Sequence, residues 1–168
     1  QHRLFYTMYL LTFTGLLGMA ITGDAFNAFV FMEISSLSAY VLVALGKKRN
    51  ALYAAFQYLI LGTIGATFFV IGVGLLYMLT GTLNMADLST RLPQHYSSSV
   101  FYVAFCFIVV GLGLKLALFP LHLWLPNSYT FAPSLISALF AATGTKVGIY
   151  LLLRFIFTVF QTPQNTQL

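Results

Sequence analysis

Three ionisable side chains lie inside apolar stretches long enough to cross a lipid bilayer: Glu33, Lys115 and Lys146. Only 7% of the chain is charged, so these positions stand out from their surroundings. A charge at membrane depth is costly, and such charges usually mark the path of an ion or a proton. One acid and two bases on three separate stretches therefore predict a proton relay through a bundle of helices.

Glu33 shares a helical face with Ser36 and Tyr40, which follow it by three and seven residues. We interpret Glu33 as a carboxyl group that exchanges a proton or pairs with a cation, because intramembrane acids are functional by default. The alternative is a carboxyl group that burial keeps neutral and a neighbour holds by a hydrogen bond.

Lys115 precedes Pro120 by five residues. Pro120 has no backbone N–H, so we expect it to break the helix and free a carbonyl group near Leu116. Broken helices at membrane depth line cavities, and transporters place ion sites there. We expect Lys115 to gain or lose its proton as a charged partner moves nearer or farther. The alternative is a lysine whose ammonium group reaches the membrane interface.

Lys146 lies among small residues, including Gly144 and Gly148, which let helices approach closely. We therefore expect Lys146 to point into the bundle, with Thr143 and Tyr150 on its face. The alternative is a static ion-pair partner for another part of the protein.

His122 follows the predicted break and could carry protons between bulk water and Lys115, because histidine titrates near neutral pH. A hydrogen bond that anchors the broken segment explains this histidine equally well. The sequence contains no metal-ligand spacing, phosphate-binding glycine loop or nucleophile–base pair, so we predict neither a cofactor nor a catalytic site in this chain.

The composition is that of an integral membrane protein. The 168 residues are 60% hydrophobic, with a mean hydropathy of +0.90, whereas soluble domains are about 45–50% apolar. A helix needs about 20 apolar residues to span the bilayer. We predict an all-α membrane protein, a single transmembrane domain over residues 1–168, with five spans at about residues 4–21, 26–46, 52–79, 100–125 and 133–160.

The charges predict the orientation. The net charge is +5, and three bases form one cluster, Lys47–Arg49, between the second and third spans. Positive loops stay in the cytoplasm, so this cluster indicates membrane topology and not nucleic-acid binding. The turn at Asp24, the connection 80–99 and the polar tail 161–168 then face outside. We expect Asp24 to cap the second helix, and the segment Asp87–Ser89 is a plausible cap in the outer connection.

The segment GLKLALFPLHLWLPNSY, residues 113–129, resembles the signature of the antiporter-like membrane subunits. These subunits occur in respiratory complex I, membrane-bound hydrogenases and Mrp sodium/proton antiporters. Residues 132–154 look like the helix that follows this signature. Residues 23–33 look most like the D subunit of the Mrp type.

The resemblance implies a fold of two inverted five-helix repeats, of which this chain looks like the first and a fragment of a longer subunit. It also implies roles: Glu33 as the essential glutamate, Lys115 as the lysine beside the broken helix, and Lys146 as the lysine that passes the proton to the second repeat. The implied protein lies in a bacterial or archaeal inner membrane, with other membrane subunits as partners, and moves protons, with sodium exchange in the Mrp branch. The complex could be an NADH-quinone oxidoreductase. The alternative is a membrane scaffold that transports nothing and docks neighbouring subunits.

Overall fold

A computed structural model describes residues 2–161, and this part of the chain contains helices and no strands. Five helices are long and apolar enough to cross a membrane, as predicted. They are α1 (His2–Ile21), α2 (Ala25–Ala44), α3 (Ala51–Thr80), α5 (Ser99–Leu116) and α7 (Ser134–Val159). Two short helices, α4 (Met85–Arg91) and α6 (Trp124–Phe131), lie in the connections. The predicted tail beyond residue 161 lies outside the described residues.

Small residues let the long helices approach each other closely. A Cβ atom added to Gly15 in α1 would lie 2.6 Å from the backbone nitrogen of Ser35 in α2. One added to Gly111 in α5 would lie 2.7 Å from the carbonyl oxygen of Gly65 and the nitrogen of Phe69, both in α3. Association within a bilayer depends on such contacts, because the lipid is as apolar as the side chains it would replace. Helix α3 packs against both α2 and α5.

The ends of the helices that we predict to face outside are tied together. The Asp24 carboxylate caps α2 by accepting a hydrogen bond from the backbone of Asn27 at 2.8 Å, as predicted. Arg154 in α7 donates to the carbonyl oxygen of Thr22 at 2.5 Å. Backbone pairing joins Asp24 to Asn84 in the connection that carries α4. These contacts place the α1–α2 turn, α4 and the end of α7 at the same end of the bundle.

The cap of α4 differs from the prediction. The Asn84 side chain accepts hydrogen bonds from the backbone of Ala86 and Asp87, so Asn84 is the capping residue. Asp87 lies within the first turn and pairs with Arg91 one turn later at 3.2 Å. Capping requires extended backbone, which Asn84 has, so a residue inside the helix cannot serve.

The opposite end of the bundle gathers the basic cluster and the link between α6 and α7. Lys48 donates to the carbonyl oxygen of Thr130 at 3.4 Å, and its ammonium group lies 5.8 Å from the centre of the Phe131 ring. Asn127 in α6 donates to Gln57 in α3 at 2.8 Å. Which membrane face this end occupies remains a prediction from the charge pattern.

The fourth predicted span contains a non-helical segment. Helix α5 ends at Leu116, where Ala117 adopts a left-handed conformation with φ of 54°, and the next helix begins at Trp124. Pro120 lies in the non-helical segment 117–123. The predicted fourth span, residues 100–125 with a break near Pro120, covers α5, this non-helical segment and the first residues of α6. That Pro120 causes the interruption remains a prediction.

Helix α7 contains two segments of π-helix, Phe140–Gly144 and Arg154–Val159. The first ends two residues before Lys146. Such segments insert an extra residue into a turn and occur frequently at functional sites. The first segment changes the helical phase between the beginning of α7 and the part that carries Lys146.

Candidate functional site

Helix α2 places Glu33 at membrane depth. Glu33 is the ninth residue of α2, about 12 Å along the axis from the first. The side chain is half-buried, and its Oε1 atom is buried without a hydrogen-bond partner among residues 2–161. Our alternative, a carboxyl group held by a neighbouring hydrogen-bond donor, therefore gains no support at this oxygen.

Helix α5 places Lys115 in its last turn, beside the non-helical segment. The Nζ atom is buried and has no hydrogen-bond partner within the described chain. A lysine whose ammonium group reached the interface would expose that nitrogen. The structure thus places Lys115 inside the bundle, against the alternative that it reaches the interface.

Glu33 and Lys115 lie close enough to interact electrostatically. They nevertheless form no ion pair: the charged atoms of Glu33 and Lys115 are more than 4.0 Å apart. The one ion pair in the described part of the chain is Arg91–Asp87. Charges interact more strongly in a low-dielectric interior than in water. The two groups can therefore influence each other's protonation without a direct contact.

A cavity adjoins Lys115. About 40 Å³ of it is open to the centres of water-sized molecules, and one water needs roughly 10–15 Å³, so about three waters fit. Its polar lining comes from six different helices: Thr12, Ser35, Tyr58, Lys115, Tyr129 and Thr145. Hydroxyl groups and water can transmit protons, so this cavity is suited to exchange a proton with Lys115.

Trp124 seats the short helix α6 beside this cavity. Its indole N–H donates to the carbonyl oxygen of Leu114 at 2.9 Å, near the end of α5. Its ring stacks in parallel on Tyr58, with 4.2 Å between centroids. Sequence reasoning missed this role, although the only tryptophan of the chain lies just after the predicted break.

His122 lies in the segment between α5 and α6, against Phe119 with 5.6 Å between ring centroids. Its Nδ1 atom is buried, and no described residue forms a hydrogen bond with it. An anchoring hydrogen bond through Nδ1, one of our two interpretations, is thus not observed. His122 does not line the cavity at Lys115.

Lys146 does not point into the bundle formed by residues 2–161, so that prediction is wrong for this part of the chain. Its side chain is exposed, and its ammonium group donates to the carbonyl oxygen of Ala141. The face of α7 that packs inward carries Gly144 and Gly148. Successive helical residues are about 100° apart, so Lys146 lies away from the glycine stripe.

The chemistry available at this site is proton exchange. No group of three or more His, Cys, Asp or Glu side chains that could hold a metal ion occurs among the described residues. The cavity at Lys115 is lined mostly by apolar side chains, with hydroxyl groups from Thr12, Ser35, Tyr58, Tyr129 and Thr145, and the Glu33 carboxyl group lies outside it but within electrostatic reach of Lys115. These hydroxyl groups can bind water and move protons.

Comparison with known proteins identifies the same class of membrane protein. Residues 22–168 match the family model described as "NADH:quinone oxidoreductase/Mrp antiporter, TM". The N subunit of the NADH-quinone oxidoreductase of Desulforudis audaxviator is 53% identical over 155 residues, which cover 92% of this chain and 31% of that protein. The D subunit of the Na⁺/H⁺ antiporter of Bacillus subtilis is 41% identical, over 86% of this chain and 29% of that protein.

Solved structures agree. A chain of the membrane-bound sulfane sulfur reductase, an archaeal respiratory membrane complex, is 44% identical with a TM-score of 0.83, over 88% of this chain and 30% of that one. A chain of the Mrp complex from Dietzia sp. is 30% identical with a TM-score of 0.82, over 92% of this chain and 29% of that one. The chain thus spans about 30% of the length of these relatives. Because the family model covers all but the first 21 residues, this chain belongs to the NADH:quinone oxidoreductase/Mrp antiporter membrane family.

Proposed function

We propose that this chain is part of a subunit that moves protons across the membrane, with Glu33 and Lys115 as two stations of the path. In this proposal Glu33 sets the protonation of Lys115 through its field. When Glu33 is ionised, Lys115 holds its proton. When Glu33 is neutralised or moves away, Lys115 releases its proton to the cavity.

One observation carries this proposal. Among residues 2–161, the Oε1 atom of Glu33 and the Nζ atom of Lys115 are buried and have no hydrogen-bond partner, yet the two groups lie within electrostatic reach of each other. Buried polar atoms in proteins are normally satisfied, and the exceptions cluster at functional sites. A structural ion pair would hold the two groups in contact, and here they are more than 4.0 Å apart.

The remaining stations follow from position. We propose that Lys146 receives the proton beyond the cavity, because Thr145, its neighbour in sequence, lines that cavity. Lys146 is exposed on the bundle formed by the described residues, so this step needs a group from another part of the complex. We assign His122 to exchange with water at the end of α5.

We propose that the complete protein works with other membrane subunits, because its relatives include subunits of complex I and of Mrp antiporters. In the first case, electron transfer elsewhere in the complex drives proton movement. In the second, protons exchange for sodium. The fold of the whole protein as two inverted repeats, with this chain in the first, belongs to the same proposal.

Transport by the whole complex tests the relay. The full-length protein is assembled with its partners and reconstituted in vesicles, where a pH-sensitive dye reports proton movement. Glu33→Gln and Lys115→Met are each expected to abolish transport while assembly on native gels stays normal. Arg91→Gln, which alters an exposed charge far from the site, is the matched control and is expected to transport normally. Full transport by both site variants would reject the relay.

The second candidate, a scaffold that only docks its neighbours, predicts the opposite pattern. Its charges would tie helices together, so their removal would impair assembly and leave any surviving complex unchanged in rate. The absence of a Glu33–Lys115 ion pair within 4.0 Å favours the relay over this candidate.

Sodium dependence separates the two kinds of complex. Addition of sodium to preformed vesicles collapses a pH gradient if the exchange is of the Mrp type, and potassium at equal concentration serves as the control. A gradient that responds to neither ion, but builds up when electron donor and quinone are supplied, indicates pumping of the complex I type.

A further inference from the structure

Tyr40 in α2 is a buried group that the proposed relay does not use. Its side chain is only 6% exposed, and its hydroxyl oxygen forms no hydrogen bond of normal geometry in the described chain. The Ser36 hydroxyl group lies close to it but donates to the carbonyl oxygen of Met32. A tyrosine hydroxyl buried in an apolar bundle normally finds a partner. Of the four buried side-chain atoms left without partners among the described residues, this is the one outside the proposed stations Glu33, Lys115 and His122.

The position of Tyr40 links it to Glu33. Tyr40 follows Glu33 by two helical turns, and Ser36 lies between them on the same face. Helical side chains lean toward the N-terminus of their helix, over the preceding turn, so the Tyr40 side chain extends from its own position toward the turn of Ser36, which separates it from Glu33. Glu33 and Tyr40 also lie within electrostatic reach of each other.

Helix α3 makes room for this hydroxyl group. A Cβ atom added to Gly62 would lie 2.0 Å from the Tyr40 oxygen, so no other residue fits at position 62 without displacing it. Gly62 has ordinary helical geometry, and glycine costs stability inside a helix. The close approach of the Tyr40 hydroxyl is therefore the physical reason for this glycine.

Tyr40 also connects to the Lys115 cavity. Its ring meets Tyr58 edge to face, with 4.6 Å between centroids. Tyr58 lines the cavity and stacks on Trp124, which binds the backbone at Leu114, beside Lys115. A continuous set of aromatic contacts thus runs from the Glu33 face of α2 to the site of Lys115.

We propose that Tyr40 is a positioning residue for the relay: its hydroxyl group donates a hydrogen bond to the ionised Glu33 carboxylate, directly or through one water, and holds it toward Lys115. This inference rests on the proposed function and extends it. A neutral carboxyl group is a weaker acceptor than a carboxylate, so this hydrogen bond stabilises the ionised form of Glu33 and thereby the state in which Lys115 keeps its proton.

Tyr40→Phe in the full-length protein, assembled in its complex, tests this role, because it keeps the ring and removes only the hydroxyl group. We expect normal assembly and a fall in proton transport of about tenfold, the factor expected for one hydrogen bond to a charged group. Tyr53→Phe removes a hydroxyl group from an exposed tyrosine of α3 and is the matched control, with unchanged transport expected.

Infrared difference spectroscopy distinguishes positioning from packing. The infrared band of the Glu33 carboxyl group is identified by its disappearance in Glu33→Gln. We expect the frequency of this band to shift in Tyr40→Phe and to stay unchanged in Tyr53→Phe. Difluorotyrosine at position 40 keeps the ring and strengthens the donor, so it is expected to assemble and to shift the band in the opposite direction. If Tyr40→Phe fails to assemble, this second variant carries the test.

The two proposals fail in different ways. If Tyr40→Phe transports at the normal rate with an unshifted band while Glu33→Gln is inactive, Tyr40 has no positioning role and the relay stands. If Glu33→Gln itself transports normally, the relay is rejected, whatever Tyr40→Phe does. An unshifted band with difluorotyrosine also overturns the role of Tyr40.

Discussion

At the scale of single residues, the unpaired burial of Glu33 and Lys115 is the feature that needs explaining. A buried charge without partners destabilises the fold, so sequences retain one where function requires it. The two charged groups are more than 4.0 Å apart and so form no direct ion pair. A tight ion pair would fix both protonation states and prevent exchange.

The two residues are expected to be energetically coupled. Glu33→Gln or Lys115→Met alone leaves one buried charge without its counterpart, so each variant is expected to lower the thermal stability of the purified complex. The double variant removes both charges and should recover stability, with a coupling of about 0.5–3 kcal/mol. Thermal unfolding in detergent measures this cycle. Strictly additive effects would mean that the two side chains do not sense each other.

The double variant should regain thermal stability but should still fail to transport protons. A fold-stabilising role for the pair predicts that stability and transport recover together. The relay predicts that only stability does, because no proton acceptor remains.

At the scale of helices, close backbone approach holds α3 and α5 together. Gly111→Ala would place a methyl group 2.7 Å from the backbone of Gly65 and Phe69, and backbone atoms cannot move aside cheaply. We expect a loss of about 1–3 kcal/mol of stability. Gly74→Ala in α3 meets nothing within 4 Å and is the control, with a small gain in helix propensity expected. Equal effects of the two variants on the unfolding temperature would contradict this account.

The outer connection is fastened by Tyr96, whose hydroxyl group donates to the carbonyl oxygen of Phe160 at 2.7 Å. Burial raises the pKa of Tyr96 above its ordinary value of 10.0. The folded state therefore favours the neutral phenol. This contribution to stability is complete below the pKa of the unfolded chain and is lost as pH rises through the higher pKa of the folded state.

Tyr96→Phe is accordingly expected to cost about 1 kcal/mol at neutral pH and to remove part of the loss of stability on the alkaline side. Unfolding temperatures measured from about pH 7 to above about pH 10 test this, with Tyr102→Phe, an exposed tyrosine, as the control. If the wild-type and Tyr96→Phe curves stay parallel in the alkaline range, the hydroxyl group of Tyr96 does not stabilise this end of the bundle.

At the scale of the whole molecule, the two ends of the bundle differ in charge. The basic cluster with Lys48 lies at the end that carries the α6–α7 link, and Asp87 lies at the other end. The positive-inside rule places the Lys48 end in the cytoplasm.

Labelling of single cysteines tests this orientation. In a Cys106→Ala background, Lys48→Cys should react with a membrane-impermeant maleimide only in inverted vesicles. Asp87→Cys should react only in right-side-out cells. Cys106 needs removal because it is exposed on the surface of the bundle. The reverse pattern would invert the predicted orientation.

The sequence by itself determined the number of spanning helices, most of their bounds and the Asp24 cap. In a bilayer the backbone has no solvent with which to form hydrogen bonds, so an apolar stretch of sufficient length becomes a helix whatever its neighbours. The identities of Glu33 and Lys115 as unusual residues followed from the same local chemistry. An interruption of the fourth span was predicted from Pro120, and residues 117–123 are non-helical, but that Pro120 causes the interruption stays a prediction.

Only the tertiary structure decided where side chains point and what surrounds them. The inward face of α7 is set by Gly148 against Leu116, so Lys146 faces away from this bundle although small residues surround it in sequence. The cavity at Lys115 and the approach of Tyr40 to Gly62 join residues from different helices. These features depend on how each helix is rotated about its axis when the helices pack. Contacts between residues distant in sequence determine that rotation, and local sequence does not.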